Sequence, residues 1–306
     1  MKIGVLMGGI STEREVSLKS GQAAYEYLSE SYKDDDSVEI INIVLNSEDD
    51  LIEKCKGLDF ALLALHGKFG EDGTVQSVLK TLGVKYSGCG PISSGLCMNK
   101  DLTKVVLKSN NIRTARWLNV SSVEEIDYDK IEEIGYPVFI KPTNGGSSVA
   151  TFKIYNKEEV ENAVAEGLKY DAEVMIEEFI KGDEITCPVF AGEMKPVIAI
   201  KPTSDFFDFT QKYAEGGAEE VVVELEESLH KEVEAMALAT YKALKCDVYA
   251  RIDMIITEEG KPYVLEVNTL PGMTSSSLFP KSMAASGVDF TTFLKMLIEE
   301  SMKVKR

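Results

Sequence analysis

Between Met1 and about residue 90, short apolar runs alternate with stretches of helical periodicity. Ile3–Met7, Val38–Val44 and Asp59–Leu65 read as strands; helices are expected from Glu13, near Leu51 and over Thr74–Leu82. The first helix carries Val16, Ala23, Ala24, Tyr27 and Leu28 on a 3.6-residue face, and Thr12 with Glu15 has the spacing of a capping box. Strands alternating with helices favour a parallel sheet covered on both faces, so the fold class is α/β in this half.

Beyond Pro91 the pattern changes. It predicts a helix over Ser93–Lys108, a strand at Trp117–Val120, a helix over Val123–Ile134 and strands Pro137–Lys141 and Val149–Ile154 around a Gly/Ser turn. A helix at Lys157–Lys169 and a strand at Val174–Phe179 follow, then strands Glu184–Phe190 and Val197–Ile200. A polar, aromatic loop (Thr203–Gly217) precedes a long helix, Ser228–Leu244, and the strand pair Val248–Ile256 and Tyr263–Val267. There is no internal repeat or low-complexity linker. The expected units are residues 1–90, 91–181 and 182–306, the last two α+β in character.

Composition narrows the function. The chain has 306 residues, enough for two or three domains, and its 44% apolar content is ordinary for a water-soluble globular protein. A formal charge of −18 argues against a nucleic-acid partner, because phosphate backbones select basic surfaces. Five scattered cysteines without a CxxC spacing suggest neither a disulfide framework nor a zinc site, and fit a reducing cytoplasm. No apolar run approaches the roughly 20 residues needed to span a bilayer, and the N-terminus reads as a strand entering a loop, not a signal peptide. No membrane partner is therefore expected.

The chemistry concentrates in two places. In the last strand pair, Arg251 and Asp253 share one face, as do Glu266 and Asn268. If Glu258–Lys261 form a four-residue loop with Thr257 facing Pro262, Asp253 opposes Glu266 and Arg251 opposes Asn268. Two opposed carboxylates repel unless a cation lies between them, and oxygen donors of this kind suit Mg²⁺. The alternative is a solvated hairpin face, which the apolar flanks Met254, Ile255, Ile256, Val264 and Leu265 disfavour. The second place is Lys141–Ser148, where glycines let backbone N–H groups approach a polyphosphate and Lys141 adds charge. No GxxxxGK[ST] or GxGxxG occurs, which disfavours a P-loop NTPase and a dinucleotide-dependent dehydrogenase. His66–Gly73 and Gly8–Glu13 each follow a strand, where open α/β sheets gather ligands. Taken alone, His66 also reads as a structural histidine and Glu13 as a charge favouring a helix N-terminus.

With these residues in view, the chain resembles the D-alanine:D-alanine ligases along nearly its full length. The matching motifs are GGISTEREVSL (Gly8–Leu18), LHGKFGEDGT (Leu65–Thr74), MNK (Met98–Lys100), IKPTNGGSSV (Ile140–Val149), IEEFIKGDEIT (Ile176–Thr186), FFDFTQKY (Phe206–Tyr213), ARIDM (Ala250–Met254) and EVNTLPGMTSSSL (Glu266–Leu278). The resemblance implies an ATP-grasp fold behind a Rossmann-like N-terminal domain, with ATP between two antiparallel sheets. It implies ligation of two D-alanines through a D-alanyl phosphate, with release of ADP and phosphate, for peptidoglycan precursor synthesis.

The resemblance also implies roles. Lys100, Lys141, Glu177, Ile180 and Glu184 would hold the nucleotide, and Ser148 would meet its phosphates. Asp253, Glu266 and Asn268 would hold two Mg²⁺ ions, with Mn²⁺ as a substitute; a monovalent cation is a further candidate. Glu13 would take the ammonium of the first D-alanine and connect through Ser147 to Tyr213. His66 would position substrate, Lys212 would contact phosphate, and Arg251 with the Gly272 N–H would stabilise an oxyanion. Ser277 and the Leu278 backbone would hold the second carboxylate. A lid over Thr203–Gly217 and a homodimer are implied as well. Ala150 and Phe207 depart from the usual family glycine and tyrosine, and the acidic stretch Glu215–Glu227 lacks the usual proline. Rival readings are a D-serine or D-lactate ligase, the latter disfavoured by Tyr213, and a nucleotide-binding regulator without catalysis.

Overall fold

The computed structural model describes residues 1–144, 146, 149–202 and 218–305. The loop 203–217, with Lys212 and Tyr213, and the two serines Ser147 and Ser148 lie outside the described residues.

The first unit is the expected parallel sheet. Strands β1 (Lys2–Gly8), β2 (Glu39–Leu45), β3 (Phe60–Leu63) and β4 (Lys85–Tyr86) stand in the order β2-β1-β3-β4, all parallel. Helices α1 (Arg14–Ser31), α2 (Asp49–Cys55) and α3 (Thr74–Thr81) connect them. β1 is buried from Ile3 through Gly8, as a central parallel strand covered on both faces must be. The Thr12–Glu15 capping box does not form. Glu13 occupies the N-cap position without a side-chain cap bond, and a turn at Ser11 starts the helix instead, with Arg14 N donating to Ser11 O (3.2 Å).

The helix expected over Ser93–Lys108 is two helices, α4 (Pro91–Met98) and α5 (Lys100–Ser109). They break at Asn99, whose extended backbone ends α4 and whose side chain accepts from Leu102 N (2.9 Å) to cap α5. Lys100 N then donates to Thr143 O (3.0 Å), tying the new helix start to the next sheet. That sheet joins β5 (Trp117–Val120), β6 (Val138–Pro142), β7 (Phe152–Ile154) and β8 (Val174–Glu178) in antiparallel order β5-β8-β6-β7. Its helices α6 (Tyr128–Ile134) and α7 (Val160–Gly167) are shorter than expected, because single 3-10 turns at Val123–Glu125 and Lys157–Glu159 precede them.

The third sheet runs β12-β11-β9-β13-β14, with β10 (Glu193–Met194) beside β9 (Gly182–Phe190). β11 is Ile198–Pro202, β13 is Tyr249–Thr257, β14 is Pro262–Asn268, and α8 (Glu227–Ala243) covers the back. β12 (Ala218–Val222) lies in the acidic stretch, whose charges hid it; it pairs antiparallel with β11, Lys201 opposite Glu219. The last two helices, α9 (Leu278–Ala285) and α10 (Phe290–Lys303), lay outside the sequence reading. They bury Phe279, Phe293, Leu294 and Leu297 in the same core as Ile3, Leu6, Leu28 and Phe60. Phe279 stacks on Phe293 (5.4 Å), and Tyr249 of β13 meets Phe279 edge-on (5.4 Å). The C-terminal helices thus pack the first sheet against the third.

Candidate active site

The β13–β14 hairpin brings Arg251 opposite Asn268 and Asp253 opposite Glu266. It reaches that pairing by another route than the one expected. Ile256, not Thr257, faces Pro262, so the loop is one residue longer, closed by Thr257 N donating to Lys261 O (3.0 Å). The register shifts between Asp253 and Met254, where Leu265 is the extra residue on β14. This bulge re-aims Glu266 and Asn268 toward the face that carries Arg251 and Asp253.

On that face Asp253 is buried and doubly held. Arg251 Nε lies 2.9 Å from its Oδ1 and Nη2 lies 2.7 Å from its Oδ2, while Thr186 Oγ1 donates to Oδ1 (2.5 Å). Arg251 is buried as well; although burial opposes its charge, the carboxylates of Asp253 and Glu266 raise its pKa further. Glu266 is more open, with Oε2 4.0 Å from Lys100 Nζ. Asn268 Oδ1 accepts from Leu270 N (2.9 Å). Among the described residues no group of three His, Cys, Asp or Glu side chains is placed to hold a metal alone. Two carboxylates and an amide oxygen fit Mg²⁺, which typically takes one or two protein carboxylates and completes its shell from phosphate and water.

Facing this hairpin is the middle sheet. Lys141 of β6 and Glu177 of β8 share its inner face, and Lys141 Nζ lies 2.5 Å from Glu177 Oε2. A second ammonium, Lys104 from α5, lies 2.5 Å from Glu177 Oε1. Burial alone would raise the Glu177 carboxyl, but the charges of Lys104 and Lys141 outweigh it and hold the pKa at about 2. Ile180 lies in the connection from β8 to β9, and Glu184 lies on β9 opposite Ile200 and Ile255. The Gly/Ser turn is anchored at its start, where Asp171 accepts from Asn144 N (2.6 Å).

At the far end sit the groups from the first unit and from α9. Glu13 makes no side-chain cap bond, and its carboxylate lies against Gly67 and Gly146; a Cβ at Gly67 would stand 2.9 Å from Glu13 Oε2. His66 is buried between Ser20 Oγ (3.3 Å from Nε2) and the Glu71 carboxylate (3.6 Å from Nδ1). Ser277 ends the loop before α9, with Leu278 the first helical residue. Its Oγ accepts from Thr274 N (3.1 Å) and would stand 2.9 Å from a Cβ at Gly272, so only glycine leaves that hydroxyl in place.

Glu13, His66, Lys100, Lys141, Glu177, Ile180, Glu184, Arg251, Asp253, Glu266, Asn268, Gly272, Ser277 and Leu278 all line one cleft of about 1530 Å³. Four expected site residues, Ser147, Ser148, Lys212 and Tyr213, fall outside the described residues. Sequence reasoning missed Lys104 and Thr186. Thr186 was accessible in principle, because it lies two residues from Glu184 on one strand face; Lys104, four residues after Lys100, looked like an ordinary helix lysine.

The chain matches the family described as D-ala D-ala ligase C-terminus over residues 105–299 and that described as D-ala D-ala ligase N-terminus over residues 45–89. A D-alanine–D-alanine ligase of Clostridium perfringens (strain SM101) is 65% identical over 306 residues, covering 100% of both chains. Among solved structures, the D-alanine–D-alanine ligase of Bacillus anthracis complexed with ATP superposes with a TM-score of 0.89 at 44% identity, covering 99% of this chain and 98% of that one. A D-Ala:D-Ser ligase from Enterococcus faecalis superposes with a TM-score of 0.84 at 31% identity, covering 98% and 99%.

Proposed function

The chain belongs to the D-alanine–D-alanine ligase family, and we propose that its cleft joins two D-alanines into D-alanyl-D-alanine at the expense of ATP. The observation that carries this reading is the convergence, on one cleft, of a carboxylate–amide hairpin face, two cleft lysines and the Glu13–His66–Ser277 end. The two solved structures named above are consistent with a D-alanine second substrate: the D-Ala:D-Ser ligase is the more distant of the two.

A carboxylate is a poor acyl donor, so its oxygen must first accept the terminal phosphoryl group of ATP. Lys100 and Lys141 place positive charge beside the polyphosphate, and Glu13 offers a carboxylate to the ammonium of the first D-alanine. The second D-alanine would lay its carboxylate on Ser277 Oγ and the Leu278 N–H at the start of α9, a helix end that favours anions. Its amine, once deprotonated, attacks the acyl carbon and expels phosphate. As the tetrahedral oxyanion forms, Arg251, whose second terminal nitrogen is not used by Asp253, and the Gly272 N–H donate to it. Magnesium bound at Asp253, Glu266 and Asn268 would supply charge balance during phosphoryl transfer.

The same reading extends to a cytoplasmic homodimer and to a role in peptidoglycan precursor synthesis. No helix among the described residues is long and apolar enough to cross a membrane, and sedimentation velocity tests the dimer. The decisive experiment is phosphate release with ATP and Mg²⁺, offering D-alanine, L-alanine, or D-alanine with D-serine or D-lactate, with products identified by mass. D-alanine-dependent release with the D-alanyl-D-alanine mass is expected. ATP binding without turnover on any D-amino acid would overturn the ligase reading in favour of a regulator.

A further inference from the structure

Lys104 is among the largest fully buried side chains, at 1% exposure, yet it carries an ammonium and does not line the cleft. Burying an unpaired charge is costly, so its partners define its purpose. They are Glu177 Oε1 (2.5 Å), Thr114 Oγ1 (2.7 Å) and Ala115 O (3.2 Å), with the Trp117 ring centroid 5.5 Å away. Glu177 is the centre of an array: one oxygen meets Lys104, which does not line the cleft, and the other meets Lys141, which does.

The charge count gives the array its meaning. With two ammonium groups to one carboxylate, the array keeps one positive charge, and Lys141 is its only member with an ammonium at the cleft. Without Lys104, Lys141 and Glu177 would form a closed neutral pair, drawing the Lys141 ammonium away from an anionic ligand. We propose that Lys104 is a positioning residue for nucleotide binding: by neutralising Glu177 from outside the cleft, it leaves the charge of Lys141 available to the phosphates of ATP. This rests on the ATP-dependent reading of the cleft.

A double-mutant cycle tests it, with Mg-ATP affinity measured by calorimetry on the full chain and folding checked by circular dichroism. Lys104→Met is expected to weaken ATP binding on the order of tenfold, leaving the KM for D-alanine within about twofold, a split that general loosening would not produce. Lys104→Arg should recover most of the affinity. Because Lys104 acts through Glu177, adding Lys104→Met to Glu177→Gln should change ATP affinity by less than about twofold. Glu177→Gln leaves the Lys104 ammonium with Thr114 Oγ1 and Ala115 O alone, so its folding is checked as well. The double variant leaves no buried charge unpaired, and where a single variant does not fold the double variant is compared with the unmodified chain, an ATP affinity lowered about tenfold or more overturning the inference. Additive losses in the cycle, or unchanged ATP affinity in a folded Lys104→Met protein, would overturn the inference. Failure of the unmodified protein to bind ATP would instead defeat the reading of the cleft on which the inference rests.

Discussion

Arg251 and Asp253, two residues apart on β13, form a two-point ion pair in which Nε donates to Oδ1 (2.9 Å) and, at longer range, to Oδ2 (3.3 Å), while Nη2 donates to Oδ2 (2.7 Å). Both side chains are buried, so each is the other's countercharge away from water.

Removing one partner should therefore expose two separate effects. Arg251→Met leaves Asp253 without its countercharge and is expected to destabilise the fold by about 3–5 kcal/mol in urea unfolding. Arg251→Lys keeps a charge but loses the fork; it should fold nearly as well while kcat drops on the order of 10²–10³. Equal turnover in Arg251→Lys and the unmodified chain would remove Arg251 from the chemistry.

Glu266 is the more open of the two opposed carboxylates, and its exchange for Gln removes a charge without changing shape. Glu266→Gln is expected to lower kcat by at least about 10² and raise the Mg²⁺ concentration needed for half-maximal rate. Chelation of the unmodified enzyme should abolish turnover, and added Mg²⁺ should restore it. A Mg²⁺ titration that does not move between the two proteins would place the metal elsewhere.

Although burial opposes it, the ammonium groups of Lys104 and Lys141 hold the Glu177 carboxyl at about 2 in the folded chain, below the ordinary glutamate value of 4.5. A depressed carboxyl contributes stability that is complete above the unfolded value and lost as pH falls from about 4.5 toward 2. The linkage amounts to about 3 kcal/mol at neutral pH. Urea unfolding from pH 7 to pH 3 should show the advantage of the unmodified chain over Glu177→Gln shrinking across that window. A pH-independent difference would mean that the carboxyl is not held low.

Ala150 has φ +51°, in the left-handed region where a β-carbon is crowded. It stands at the position where the resembling family usually carries glycine, so the departure noted in the sequence has a backbone cost. Ala150→Gly is expected to stabilise the fold by on the order of 1 kcal/mol, and Ala150→Val to destabilise it by more. Thermal unfolding of the three proteins orders them; a lower midpoint for the glycine variant would contradict the strain.

Gly272 leaves room for the Ser277 hydroxyl, which a Cβ would approach to 2.9 Å. Gly272→Ala is expected to raise the KM of the second D-alanine on the order of tenfold through displacement of Ser277, with ATP binding unchanged. Initial-rate kinetics that separate the two D-alanine sites measure this. A matching loss of ATP affinity would point to a wider rearrangement.

Much of this was legible in the chain alone. Alternating strands and helices determined the parallel first sheet, because periodicity two against 3.6 is written locally. The motif order determined the family and named the residues that line the cleft. Pattern also placed Asp253 opposite Glu266, although through a turn one residue too short; the bulge at Leu265 restored the register that the true loop had shifted. Tertiary structure alone decided the rest. Whether Glu13 caps its helix or reaches Gly67 depends on strands far apart in sequence, and so does the break at Asn99, where Lys100 is pinned to Thr143. Lys104 is the clearest case. A lysine on a short helix is ordinarily solvated, and nothing nearby in sequence says otherwise. Only the fold brings it against Thr114, Ala115, Trp117 and Glu177, buried where the loss of water makes one charge require the other.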